Sequence, residues 1–216
     1  MRNIAVNTFV TLDGVMQAPG GPDEDRSGGF QWGGWSVKYW DEVMGKAIGE
    51  FMGKEFDLLL GRKTYEIFAA HWPFVKPDNP DYGTSLKLNG ARKYVVSSKL
   101  DKAEWSPSTI ITGDVVKQLG DLKQQNGPEL QVHGSGNLLQ TLFKHDLVNQ
   151  LHLWVFPLTV GRGKRLFADG SIPAGFKLTD STVSTTGVII ATYIRGGKIE
   201  TGSFALADQP RAEVAG

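Results

Sequence analysis

Residues 129–142, ELQVHGSGNLLQTL, constrain the fold more than any other stretch of the chain. Leu130 and Val132 alternate with polar neighbours, as a short half-buried strand requires. Gly134-Ser135-Gly136-Asn137 then turns the chain, and Leu138, Leu139, Leu142 and Phe143 form a helical apolar stripe. A strand, a glycine turn and a helix in succession aim a helix N-terminus out of the carboxyl edge of a sheet. The unpaired N–H groups and positive dipole end there suit a phosphate, and glycine lets phosphate oxygens approach the backbone. Taken alone, the stretch fits equally an ordinary strand–helix turn that uses glycine for positive φ.

The pattern recurs. Leu58-Leu59-Leu60-Gly61-Arg62-Lys63-Thr64 is an apolar strand, a glycine and a basic helix start, and Ile110-Ile111-Thr112-Gly113-Asp114 is a third junction with Asp114 as its N-cap. Ligands of open α/β sheets collect at the carboxyl ends of strands, so three such junctions on one edge suit a long, multiply anionic ligand such as a dinucleotide.

Further strands are predicted at residues 3–12, 56–60, 92–97, 108–112 and 150–156, with helices at 36–54, from about 63, and 115–125. Residues 176–185 and 188–195 form an antiparallel hairpin around Thr186-Gly187. This order predicts a three-layer α/β fold: a mostly parallel central sheet with an antiparallel C-terminal hairpin and helices on both faces. One domain over residues 1–206 is expected, with an edge strand at 199–206 and a flexible tail at 207–216. Residues 16–35 are glycine-rich yet carry Phe30, Trp32 and Trp35, which suits either a substrate-covering flap or a packed structural loop. In the helix at 36–54, Asp41 falls within the apolar stripe, where it would serve as a partnered core polar group or as an acid in a pocket.

Composition excludes several function classes. Lys+Arg and Asp+Glu are 23 each, so no broad basic field exists for nucleic acid or an anionic membrane. With no cysteine there are no disulfides, thiolate metal sites or cysteine nucleophile, which fits the cytoplasm. No apolar run approaches the ~20 residues of a membrane span, and no secretory signal is expected. His71, His133, His145 and His152 lack a paired ligand spacing, so no metal is expected. Neither a P-loop nor G-x-S-x-G occurs. Gly134-Ser135-Gly136 lacks the third glycine and the downstream acid of the Rossmann fingerprint, which disfavours ordinary NAD binding. Arg62, Lys63, Ser97, Ser98 and Lys99 instead follow strands, where a 2′-phosphate would want them.

With these residues in view, the chain resembles the dihydrofolate reductase-like family, in the branch of the reductase domain of the riboflavin-biosynthesis deaminase-reductase. The resemblance rests on Thr11-Leu12-Asp13-Gly14-Val15, Gly61-Arg62-Lys63-Thr64-Tyr65-Glu66, Val95-Val96-Ser97-Ser98, His133-Gly134-Ser135-Gly136-Asn137, Asp146-Leu147-Val148-Asn149-Gln150-Leu151 and the run from Phe156 to Phe167. These occur in the family's order across residues 1–195. The resemblance implies NADPH as cofactor. Arg62, Lys63 and Thr64 would hold phosphate at a helix start, Ser97 and Ser98 would lie by the adenosine 2′-phosphate, and Gly134, Ser135, Gly136 and Asn137 by the pyrophosphate. Thr11 to Gly14 would border nicotinamide and substrate. It implies hydride transfer to a small heterocyclic or imine-like substrate, and a possible homodimer. Asp13, by motif, or Asp41, by helical position, is the expected proton donor. A non-catalytic nucleotide-binding or regulatory protein on the same fold is the alternative.

Overall fold

A computed structural model describes residues 1–167 and 171–204. The chain runs β1 (Ile4–Thr11), α1 (Glu42–Phe51), β2 (Phe56–Gly61), α2 (Arg62–His71), α3 (Tyr82–Gly90), β3 (Lys93–Val96) and β4 (Ser108–Ile111). It continues through α4 (Val115–Gln124), β5 (Glu129–Val132), α5 (Gly136–Lys144), β6 (Gln150–Phe156), β7 (Gly175–Val183) and β8 (Ile189–Gly197). The strands form one sheet in the order β4-β3-β2-β5-β1-β6-β8-β7. Pairing is parallel from β4 to β6, and β8 and β7 close the edge antiparallel. This is the predicted architecture.

Strand alternation sorts side chains between two helical layers. Ile4, Val6 and Val10 of β1, Leu59 of β2 and Leu130 and Val132 of β5 pack with Leu119 and Leu122 of α4 and with Leu138, Leu139, Leu142 and Phe143 of α5. On the opposite face Leu58, Leu60 and Val95 pack with Met52, Tyr65 and Leu88, beside α1, α2 and α3. Each fully buried leucine contributes about 2 kcal/mol by removal of apolar area from water. A one-residue slip of β1 or β5 would exchange these faces, so burial itself sets the register.

The helix expected over residues 36–54 is shorter. Ser36 Oγ donates to the Pro19 carbonyl at 2.8 Å, and Val37–Tyr39 makes only a 3-10 turn. Asp41 has extended backbone (φ −143°) and its carboxylate accepts from Met44 N at 2.9 Å, so it is the N-cap of α1 and not a member of its buried face. A short carboxylate that can bond the backbone two or three residues ahead starts a helix more readily than it sits inside one. Trp40, freed from the helix, stacks on Trp154 with centroids 6.2 Å apart.

The loop at residues 16–35 is packed. Phe30 and Trp35 are buried with Val15, Trp154 and Phe156. Trp35 Nε1 donates to the Gln17 carbonyl at 2.8 Å, and Gln17 Nε2 donates to the carbonyls of Asp25 and Ser27, both at 2.9 Å. Trp32 stays exposed. The edge strand expected at 199–206 is absent over its described part, residues 199–204. Gly197, at φ +101°, turns the backbone out of the ladder at the end of β8, which leaves β7 as the edge. The tail at 207–216 lies outside the described residues.

Candidate active site

β5 sits between β1 and β2, although β1 and β2 follow each other in sequence. Such a slot, filled late by the chain, leaves a crevice at the carboxyl ends of the strands. A cleft of about 1180 Å³ opens there. Pockets for a single small ligand run to roughly 1,000 Å³, so this one has room for two ligands side by side.

Gly61, Arg62, Lys63, Thr64, Ser97, Ser98, Lys99, Gly113, Gly134, Ser135, Gly136 and Asn137 all line the cleft. They follow β2, β3, β4 and β5, which are neighbours in the sheet. The β2–α2 and β5–α5 junctions touch: Ser135 Oγ donates to Thr64 Oγ1 at 2.6 Å. A Cβ on Gly61 would stand 2.6 Å from Ser135 Cβ, so glycine is required there by close approach rather than by backbone angle. Gly134 and Ser135 both have positive φ (+97° and +80°), and serine accepts that strain at the turn. Neither α2 nor α5 has a side-chain N-cap, whereas Asp114 caps α4 by accepting from Lys117 N at 3.0 Å. Two uncapped helix starts therefore face the cleft beside Arg62, Lys63 and Lys99. That chemistry fits the phosphates of a dinucleotide.

Thr11 and Gly14 do not line the cleft, and neither do Asp13 and Asp41. Asp13 accepts from Thr11 Oγ1 at 2.5 Å, Gly161 N at 2.8 Å and Val160 N at 3.3 Å. Burial pushes its carboxyl up, but those donors outweigh burial and hold it below its ordinary value. Asp41 accepts from Thr185 Oγ1 and N, each at 2.7 Å, and from Met44 N, which also holds its carboxyl low. Both carboxylates tie loops together: Asp13 joins the end of β1 to residues 160–161, and Asp41 joins α1 to the β7–β8 turn.

The acids that do line the cleft come from the packed loop. Glu24 is half-buried, and burial raises its carboxyl above the ordinary value despite a 2.6 Å hydrogen bond from Gly20 N. Asp25 lies between two cations, with Lys63 Nζ at 3.5 Å and Lys164 Nζ in direct hydrogen bond. Burial opposes its ionisation, but the Lys164 and Ser27 hydrogen bonds prevail and hold it well below the carboxylate range.

The floor of the cleft is a buried polar chain. Trp154 Nε1 donates to Asn7 Oδ1 at 2.7 Å, which turns the Asn7 amide nitrogen to His133 Nδ1 at 3.4 Å. His133 Nδ1 is then the acceptor, and Nε2–H donates to Gln131 Oε1 at 3.2 Å. Gln131 Nε2 in turn donates to the Phe51 carbonyl at 3.1 Å. Every member is satisfied only if His133 is neutral and protonated on Nε2. Burial, reinforced by His152, lowers its pKa to about 4, in agreement. Asn7 breaks the apolar run of β1, and Gln131 and His133 are the polar residues that alternate with Leu130 and Val132, yet Asn7 and Gln131 are buried; polar residues in central strands are the sequence signal by which they could have been found. Glu24, Asp25 and Lys164 carry no such signal, because loop packing alone brings them to the cleft.

The model of the RibD C-terminal domain matches residues 2–190. The chain belongs to the RibD C-terminal domain family. Among curated proteins, this member is similar to the uncharacterized protein YyaP of Bacillus subtilis (strain 168), 25% identical over 193 residues, which is 89% of this chain and 94% of that one. Among solved structures it resembles a putative riboflavin biosynthesis protein from Shewanella sp. PV-4 (TM-score 0.61, 18% identity, 90% of this chain and 99% of that one). It also resembles a pyrimidine reductase-like protein from Corynebacterium diphtheriae (0.57, 13%, 90% and 92%). Dihydrofolate reductase from Enterococcus faecalis, complexed with NADP(H), is a third (0.54, 15%, 89% and 96%). The family and the fold are those of reductases. Among the described residues, no helix is long and apolar enough to cross a membrane.

Proposed function

We propose that this RibD C-terminal domain protein is an NADPH-dependent reductase that transfers hydride to a small heterocyclic or imine-like substrate. The observation that carries the reading is the pair of touching, uncapped helix starts at Gly61–Thr64 and Gly134–Asn137, set beside Arg62, Lys63 and Lys99 on one cleft. Bound NADPH supplies the hydride. Backbone N–H groups of the two glycine junctions would hold the pyrophosphate, and Ser97, Ser98 and Lys99 the 2′-phosphate. The packed loop and the aromatic side chains that line the cleft, Phe9, Trp40, Phe68 and Trp72, exclude water and align the acceptor.

Reduction also needs a proton. Asp13 and Asp41 were the expected donors, but each is held ionised by two or more hydrogen bonds away from the cleft. His133 is held neutral with both ring nitrogens engaged. We assign the donor to Glu24, a cleft carboxyl that burial keeps protonated to higher pH. The acid must carry its proton, so turnover falls as pH rises through the pKa of Glu24. The test is NADPH oxidation across pteridine, aminopyrimidine and quinone panels. Glu24→Gln should lower kcat by about 10²-fold or more, flatten the alkaline limb and leave cofactor binding intact. NADPH binding with no oxidation across the panel would favour a nucleotide-binding regulator on the same fold.

A further inference from the structure

The cleft is electrostatically divided. Its cations stand at one end. Arg62 pairs with Glu66 at 2.7 Å, Lys63 and Lys164 both meet Asp25, and Lys99 follows β3. All four therefore lie with the glycine junctions and the loop that covers them.

The other end, between β1, α1 and α2, is built differently. Phe9, Trp40, Ile48, Met52, Phe68 and Trp72 line it. Phe9 lies 6.3 Å from Trp40, while Phe68 lies 6.0 Å from Trp72 and 6.2 Å from His133, so two aromatic groups line the cleft beside the polar floor. Ile48 and Met52 pack in the same cluster as Phe68 and Trp72. Asp81, at the start of α3, is a further carboxylate that lines the cleft. His133, which would supply a positive charge if protonated, is fixed neutral by the chain from Trp154 to Gln131. Thr8 adds a nearly buried hydroxyl that makes a long 3.5 Å contact with the Phe9 carbonyl.

We propose that the hydride acceptor of this protein is a flat, uncharged ring system carrying no phosphate, seated between Trp40 and Phe68. The inference rests on the reductase reading, since it assigns the phosphate-binding end to NADPH. An anionic substituent at the aromatic end would lose its hydration, away from the cations of the glycine junctions and in a cleft that Asp81 also lines. A flat ring gains stacking on these aromatic side chains, worth about 1–3 kcal/mol per ring by alanine substitution. Reduction adds a hydride and one proton across a double bond of that ring, and NADPH leaves as NADP⁺.

Riboflavin and FMN test this, because they share one ring system and differ by a single phosphate. Binding of each is followed by flavin fluorescence with the protein held in saturating NADP⁺. Riboflavin should bind at least tenfold more tightly than FMN. Trp40→Ala and Phe68→Ala should each weaken riboflavin about tenfold while NADPH binding stays within twofold. Trp40 is 47% exposed, so its truncation leaves the core intact. Asp81→Lys, at an exposed position, should narrow the gap between the two flavins. Equal or tighter binding of FMN, or no binding of either flavin to protein that binds NADPH, would overturn the proposal and leave the reductase reading standing. Failure to bind NADPH at all would instead overturn the reductase reading, and this inference with it.

Discussion

Substituting alanine for Gly61 attacks the contact on which the cleft is built. The new Cβ would stand 2.6 Å from both Cβ and Oγ of Ser135, closer than carbon atoms tolerate. The backbone at Gly61 (φ −78°, ψ 159°) suits any residue, so the effect is purely one of overpacking. Overpacking of this kind costs about 1–3 kcal/mol. Moving the junctions apart also loses the Ser135–Thr64 hydrogen bond, about 1 kcal/mol. For a chain of this size each kcal/mol shifts Tm by about 2–4 °C, so Gly61→Ala should lower Tm by roughly 4–16 °C. NADPH binding should weaken in parallel. Ser135→Gly alone should be nearly neutral: it relieves positive-φ strain of about 1 kcal/mol or more at φ +80° and loses one hydroxyl bond. In the double variant the clash has no partner, so most of the lost stability should return. Thermal unfolding of the four proteins closes this cycle. Gly61→Ala as stable as the parent, or no rescue by Ser135→Gly, would refute the contact.

Other expectations follow from the same geometry. Burial holds His133 and His152 each at about pKa 4, below the ordinary 6.5, so the unfolded chain binds protons that the folded chain refuses between those values. Stability is therefore full above pH 6.5 and is lost as pH falls toward 4, with His133 alone contributing on the order of 3 kcal/mol. Urea unfolding at pH 7 and pH 4.5 checks this, and a flat profile would contradict the neutral network. Asp41→Ala removes the cap of α1 and should cost about 1 kcal/mol in the same assay without changing turnover. A loss of turnover at unchanged fold would return Asp41 to the chemistry.

The parts of this fold legible in the sequence are those governed by periodicity. The apolar run of β1, the alternation of β5, the leucine stripe of α5 and the glycine junctions at Gly61, Gly113 and Gly134 each lead to one local structure, and sheet order brings those junctions together. Residues whose position depends on loop packing were not legible. Asp41 looked like a buried helical carboxylate because the apolar spacing of Val37, Trp40 and Met44 continues across a helix start. The competing preference of aspartate for the N-cap decides the outcome. Glu24 reaches the cleft on a loop folded by the bonds of Gln17 to Asp25 and Ser27, and Lys164 is brought there from far along the chain by its backbone bonds with Met16 and Gln17. The polar chain from Trp154 to Phe51 joins four elements, and no single stretch contains it.

The central claim is that the glycine junctions and the residues after β3 grip one 2′-phosphorylated dinucleotide. Equilibrium titration with NADPH and NADH, followed through quenching of Trp40 and Trp72 at the cleft, tests it most directly. Charge-assisted bonds to the 2′-phosphate are worth about 1.5–3 kcal/mol, so NADPH should bind at least tenfold more tightly than NADH, and Lys99→Ala should erase most of that difference. Equal affinities, a preference for NADH or no saturable quenching would contradict it.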